Sequence, residues 1–316
     1  MRVVVVGSGI SGLSTAAELL RDGHQVTIIS AEAVSATTSF LAAAVWFPTA
    51  AGPEDLVREW GRATFAHLEG LAVASTPGVR MCESLALYRE PPAIPEWAPT
   101  VRDFRPAEPA CLPDGYTHGF RFVVPLVEMP IYLPYLHDQV AASGARWLYR
   151  YVNRLDDVAD LRPDVIVNCA GLRAGALVDD PAMHPIRGQI VRVRNPGLSM
   201  SIRDEQHPLG RAYVHPRARD CVLGGSLDVD AWDRTPNPEL TQSILERCRD
   251  LAPELADCEV LETLVGLRPG RATVRLEIDH DTVDGIPVVH NYGHGGSGVT
   301  IGHGCARAAA ALAHAL

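Results

Sequence analysis

RVVVVGSGISGLSTAAELLRDGHQVTIIS, residues 2–30, decides the fold of this chain. Arg2–Val6 is a continuous β-branched run, the pattern of a parallel strand buried on both faces. Ser11–Asp22 then carries apolar residues at helical spacing, with Leu13, Ala16, Ala17, Leu19 and Leu20 on one side, and Gly23 stops it. Gln25–Ser30 is the next strand, so the segment is a βαβ unit. In its first turn Gly7-Ser8-Gly9-Ile10-Ser11-Gly12 fits GxGxxG. Alone that pattern is weak, but between a buried strand and a helix it marks a dinucleotide site. The glycines permit a tight turn and a close approach of pyrophosphate to the backbone. The helix offers free amides and a partial positive charge. Glu32, two residues past the second strand, is placed to accept hydrogen bonds from ribose hydroxyls; the plain alternative is an exposed surface acid. The motif does not separate NAD from FAD.

Outward from this unit, Thr37, Thr38 and Ser39 supply hydroxyls suited to pyrophosphate oxygens. Ala42, Ala43, Ala44 and Val45 are small enough to let a flat ring system lie against the backbone; a polar loop entering a buried helix is the competing reading. From Pro48 to about Pro134 the chain reads as irregular and proline-rich, with one helix over roughly residues 54–74. Asp164–Gly171 (DVIVNCAG) is a buried strand ending in a small-residue turn, a return to the first sheet. Gly188–Val193, Ala212–His215 and Cys221–Gly225 read as strands of a second, antiparallel sheet. Glu239–Leu251 is an amphipathic helix, and Val260–Leu267 and Val274–Ile278 are further strands. A glycine-rich turn precedes a closing helix over about 300–316. No internal repeat is present.

The chain of 316 residues is 47% hydrophobic and 21% charged, enough for a large packed core. A net charge of −10 argues against nucleic acid as a partner. All 28 cationic side chains are arginine, which removes pyridoxal Schiff-base chemistry and the lysine of a Walker-type loop. The seven cysteines show neither CxxC pairing nor metal-ligand spacing, as expected of reduced thiols, and no metal is expected. No signal peptide and no transmembrane run is read, so the expected location is the cytoplasm. A homodimer is left open.

With these segments in place, the chain resembles the D-amino acid oxidase family of flavoproteins. The resemblance rests on GSGISGLSTA (7–16), TTSFLAAAVWFP (37–48), DVIVNCAG (164–171), RGQIVRV (187–193), YVHP (213–216), LGGSL (223–227), VGLRPGRATVRLE (265–277) and HNYGHGGSGVT (290–300). It implies an α/β fold, with a glutathione-reductase-type FAD-binding domain (1–48, about 136–186 and 280–316) interleaved with an antiparallel-sheet substrate domain (about 49–135 and 187–279). FAD is the implied cofactor, and no feature demands its covalent attachment. Val152, Cys169, Ala170 and Gly171 would approach the adenine side. Gly295, Gly296, Ser297, Gly298, Val299 and Thr300 would wrap the isoalloxazine, where a helix N-terminus favours the anionic reduced ring.

The resemblance also implies the chemistry. Arg268 would form a bidentate pair with a substrate carboxylate, the geometry a guanidinium fork suits best; a structural salt bridge to Glu262 is the alternative. Tyr213 would donate to the same carboxylate, and the Gly296 carbonyl would hold the amine. His290 and His294 read as scaffold. The implied reaction is oxidative deamination of a D-amino acid, giving 2-oxo acid, ammonia and hydrogen peroxide. The sequence departs from the family at Leu209, where vertebrate members carry a second tyrosine, and at Ile301-Gly302-His303, where an aromatic is usual. Side-chain preference therefore stays open. D-Aspartate oxidation, with Arg203, Arg211 or Arg217 as extra cations, and a tailoring amine or amino-acid oxidase are the alternatives; an NAD-dependent dehydrogenase is the competitor from another class.

Overall fold

The computed structural model describes residues 1–48 and 51–316, so the expected boundary at residue 49 lies outside the described residues. In chain order the elements are β1 (Arg2–Val6), α1 (Ile10–Arg21), β2 (Gln25–Ser30), α2 (Glu54–Val73), β3 (Val79–Tyr88), β4 (Arg102–Pro106), β5 (His118–Val127), α3 (Met129–Ala142), β6 (Arg146–Tyr149), β7 (Val165–Asn168), α4 (Ala174–Leu177), β8 (His184–Arg194), β9 (Ser201–Asp204), β10 (Ala212–Pro216), β11 (Asp220–Gly224), β12 (Asp228–Val229), α5 (Pro238–Leu251), β13 (Val260–Gly270), β14 (Arg275–Val283), β15 (Ile286–Tyr292) and α6 (Gly298–His314).

Among the described residues the strands form two sheets. The first has the order β14-β15-β7-β1-β2-β6, and its core from β15 to β6 is parallel. Val3, Val5 and Ile28 are buried with Leu13 of α1 in one core, while Val4, Val6 and Ile29 are buried in another on the opposite face. This explains the unbroken apolar runs. The second sheet runs β12-β8-β11-β10-β9-β3-β5-β4, with β13 also paired to β8, and α5 covers one face through Ile244, Cys248 and Leu251. The chain passes between the sheets repeatedly, which makes the two layers interleaved. No described helix is long and apolar enough to cross a membrane.

The sequence reading leaves α3, β4, β6 and β9 unread and differs most from the structure in two places. The stretch read as irregular contains two ten-residue strands, β3 and β5, paired from Val79–Val127 to Tyr88–His118. Burial follows no period-2 alternation in either, with residues 84–87 of β3 and 124–127 of β5 buried in unbroken runs. Pro125 within β5 further disguises the strand. It is tolerated because β4 pairs only with residues near Phe120–Val123, and beyond it Trp46 N donates to Pro125 O and Val127 N to Ala44 O. The second difference is β14, which hydrogen-bonds β15 at the edge of the first sheet and takes no part in the second.

Candidate active site

Strands β1, β2, β7 and β15 end on one side of the first sheet, where their carboxyl ends face a cleft of about 630 Å³. This is the position where open α/β sheets bind ligands. Gly7, Ser8, Gly9, Ile10, Ser11, Glu32, Thr37, Thr38, Ser39, Ala43, Ala44, Val45, Val152, Cys169, Ala170 and Gly171 line it, as do Gly295, Gly296, Gly298, Val299 and Thr300. Arg268 and Tyr213 line its other end. Gly12 and Ser297 do not reach the surface of the cleft.

The nucleotide end is built as a cradle. Gly7 has φ +115°, and a Cβ there would overlap the Cys169 carbonyl; one on Gly12 would overlap the Gly7 carbonyl. Helix α1 is therefore held against β1 and β7 at backbone distance. The N-cap residue of α1, Gly9, has no side chain to cap it, and Ile10 N donates to Ser39 Oγ at 3.0 Å. Ser8 Oγ and Ser30 Oγ are 2.6 Å apart, and Ser30 Oγ donates to Glu32 O, fixing the turn that carries Glu32. The hydroxyl protons of Thr37 and Thr38 go to Val34 O (2.7 Å) and Leu267 O (3.1 Å), so these residues tie the loop to its neighbours. The site's size, the helix N-terminus facing it and its glycine turn fit a dinucleotide.

Helix α6 also points its N-terminus at the cleft. Thr300 Oγ1 donates to Phe47 O at 3.1 Å and accepts from Phe47 N at 3.3 Å, so its hydroxyl anchors the helix start. Beneath it runs a buried polar chain. Burial pushes His294 down to about 4, leaving a neutral ring whose Nε2–H donates to Asn291 Oδ1 at 3.0 Å. Asn291 Nδ2 donates in turn to Thr15 Oγ1, and Thr15 Oγ1 to Ser11 O. His290 is fully buried against Asp279 at 2.9 Å. Both histidines are engaged in holding the turn that precedes α6.

At the other end, the second sheet presents one face to the cleft. Cross-strand pairing sets Tyr213 between Gly224 and Arg203. Tyr213 stacks on His215, with centroids 4.4 Å apart at 10°, and Ser201 Oγ holds His215 Nδ1 at 2.8 Å. Burial lifts the Tyr213 phenol above its ordinary value, against the pull of Arg268. The guanidinium of Arg268 lies over Gly188, and the Tyr213 ring over Gly224; a Cβ on either glycine would occupy the space these groups fill. Arg268 donates to Ser226 O at 3.1 Å. Glu262 pairs with Arg192 at 2.8 Å, so the structural salt bridge weighed for Arg268 is made by another arginine.

Three further arginines sort themselves by position. Arg217 is buried on Asp220 at 2.6 Å and lies outside the cleft, which removes it as an extra cation for a substrate. Arg211 lines the mouth beside Glu205 at 3.4 Å. Arg203 lines the cleft while only 5% exposed, over the Phe47 ring at 3.7 Å and 3.9 Å from Glu205. Among the described residues its Nε has no hydrogen-bond partner, and burial lowers the group from the ordinary arginine value. The loop after β9 is tied down: buried Arg247 donates to Leu209 O and to Gly225 O, both at 2.8 Å, and His207 sits 3.2 Å from Asp250. Phe47, His215 and the glycines at 188 and 224 lie within the family-like motifs, but nothing in the sequence marks them as site residues, because only the pairing register brings them to this face. Among the described residues no group of three or more His, Cys, Asp or Glu is placed to hold a metal ion.

Comparison with known proteins agrees with this geometry. A family profile described as FAD dependent oxidoreductase matches residues 2–312. The chain is 47% identical over 315 residues to the D-amino-acid oxidase of Rubrobacter xylanophilus, covering 99% of this chain and 96% of that one. It is 36% identical over 326 residues to the D-aspartate oxidase of Homo sapiens, covering 98% and 94%. Its fold matches the glycine oxidase from Geobacillus kaustophilus with a TM-score of 0.80 at 19% identity, covering 99% and 95% of the two chains.

Proposed function

The chain belongs to the FAD-dependent oxidoreductase family, and we propose that it is an oxidase that deaminates D-amino acids. The observation that carries this reading is the pair of anchors facing the nucleotide cradle across one cleft, Arg268 lying over Gly188 and Tyr213 over Gly224. A planar fork with a phenol in its electrostatic neighbourhood suits an α-carboxylate. Arg268 and Tyr213 hold that carboxylate, and the backbone carbonyl of Gly296, a residue that lines the cleft, takes the amine. Held at both ends, a substrate of one handedness turns its α-hydrogen toward the nucleotide side, and orientation supplies most of the rate. The residues of the cradle and the N-terminus of α6 would hold FAD, which when bound would supply hydride acceptance and electron transfer to dioxygen. The imino acid released hydrolyses to 2-oxo acid and ammonia. No side chain is asked to act as a base, in keeping with neutral, hydrogen-bonded His215 and His294.

Arg203 favours a second reading, in which the substrate carries a side-chain carboxylate. A buried guanidinium with an orphaned Nε and only a distant acid is a costly arrangement, and an anionic side chain would satisfy it. The D-aspartate oxidase among the relatives is consistent with that preference. Peroxide production from a panel of D-amino acids separates the two. For an acidic preference, D-aspartate exceeds neutral D-amino acids, and Arg203→Leu lowers kcat/KM for D-aspartate by about 100-fold, roughly 3 kcal/mol. For a neutral preference, D-aspartate is poor and Arg203→Leu leaves the neutral substrates within severalfold. Peroxide from no D-amino acid would overturn both.

A further inference from the structure

The far end of the cleft carries a feature that the nucleotide motif does not explain. Strand β6 lies beside β2, with Tyr149 opposite Ser30, and Arg150 N donates to Ser30 O at 2.9 Å. The segment after β6 therefore emerges next to Glu32, and the turn after β7 arrives beside it. Tyr151, Val152, Leu172 and Arg173 all line the cleft at this corner. Tyr151 is 56% exposed, yet its ring is not left free. The Arg173 guanidinium stacks on it at 4.2 Å, donates to its hydroxyl, and donates a second hydrogen bond to Val152 O at 3.1 Å. The other arginine here, Arg150, is paired with Asp160 at 2.9 Å, and among the described residues no carboxylate is paired with Arg173.

The position of this pair follows from topology. In a doubly wound sheet the acid after the second strand marks the adenosine end of a bound dinucleotide. Tyr151, Arg173 and Glu32 line the same cleft, whose other end carries Tyr213 and Arg268. A purine is a flat, neutral π-system whose edge carries ring-nitrogen acceptors. Aromatic rings and guanidinium planes are the groups that stack on it, and guanidinium N–H groups can meet its edge. An exposed tyrosine clamped by a stacked arginine is a stacking surface ordered in advance, so less rotamer entropy is lost on binding.

We propose that Tyr151 and Arg173 form a stacked rim for the adenine of FAD and make the site selective for a flavin dinucleotide over a flavin mononucleotide. The inference rests on the cofactor and not on the choice of substrate. It is tested on protein stripped of flavin, by titrating with FAD and separately with FMN and following flavin fluorescence. Tyr151→Ala and Arg173→Ala are expected to raise the Kd for FAD roughly tenfold or more. The Kd for FMN, which has no adenine to place, is expected to stay within about twofold. Tyr151→Phe keeps the ring and should bind FAD within about threefold of the parent chain, whereas Arg173→Lys keeps charge without the plane and should behave like the alanine variant. Unchanged FAD affinity in both alanine variants would overturn the assignment. So would equal weakening of FAD and FMN, which would mark the pair as structural support for the whole cleft. FMN binding reports folding in every variant, independently of turnover.

Discussion

Arg268 and Tyr213 owe their placement to residues that have no side chain. Each lies flat across a glycine of a neighbouring strand, Arg268 over Gly188 and Tyr213 over Gly224. Gly188→Ala puts a methyl group where the guanidinium stands, so Arg268 must swing away while the sheet and the nucleotide cradle stay intact. The expected result is normal flavin content with kcat/KM reduced about 10- to 100-fold, about 1.4–2.7 kcal/mol of transition-state stabilisation. Measuring flavin stoichiometry beside the kinetics checks it; unaltered kinetics would show that the cradle is not needed. At this scale the sequence was informative where a motif carried meaning: the GxGxxG turn, Glu32, and Arg268 in its LRPGR setting. Gly188, Gly224, His215 and Phe47 were not legible as site residues, because cross-strand register decides which side chains share a face. Arg203, Arg211 and Arg217 looked equivalent as candidates, and only partners and position separated them: Arg217 is committed to Asp220, while Arg203 faces the cleft.

Among the elements, helices α1, α2 and α6 meet at a group of titratable side chains away from the cleft. His67 of α2 and His303 of α6 stack with centroids 3.6 Å apart at 7°, and His303 lies 3.8 Å from buried Glu18 of α1. Arg21, which pairs with Glu18, and Arg307 also face the group. Burial pushes His67 down to about 4 and His303 to about 3, so the unfolded chain takes up their protons first. Their stabilising contribution is present above about pH 6.5, the ordinary histidine value, and is lost as pH falls from there toward the folded values. The slope is up to about 1.4 kcal/mol per pH unit for each ring. Glu18, raised by burial, acts in the opposite sense and offsets part of this near its own titration. The melting temperature should therefore fall between pH 7 and pH 5, and the double variant His67→Gln, His303→Gln should flatten that decline. Equal slopes in the two proteins would contradict the assignment. Helices with clear periodicity were legible to within two residues, whereas β3 and β5 were not, since strands buried on both sides lose their alternation and Pro125 sits where β4 has already ended.

For the whole molecule, interleaving means that neither sheet is completed by one continuous stretch of chain. The βαβ unit at the start and α6 at the end both close the same cleft, so a ligand spanning it bridges distant parts of the sequence. FAD at 100 times its Kd should stabilise the protein by about 2.7 kcal/mol relative to the stripped form, with one cooperative transition in calorimetry. Two separate transitions, only one of them shifted by FAD, would contradict that coupling. The interleaved α/β architecture was legible because cofactor-type segments lie at both chain ends and near the middle; the membership of β14 in the first sheet was not, since a single edge strand carries no signal of which sheet it joins. The most direct test of the central claim is anaerobic mixing of the flavin-loaded protein with the D- and L-forms of the same amino acids, alanine, valine and aspartate among them, while following the flavin absorbance. The account predicts rapid bleaching by one or more D-forms, none by the L-forms, and slowing by at least about 100-fold in Arg268→Ala. Bleaching by L-forms, or bleaching by D-forms that survives loss of Arg268, would contradict it.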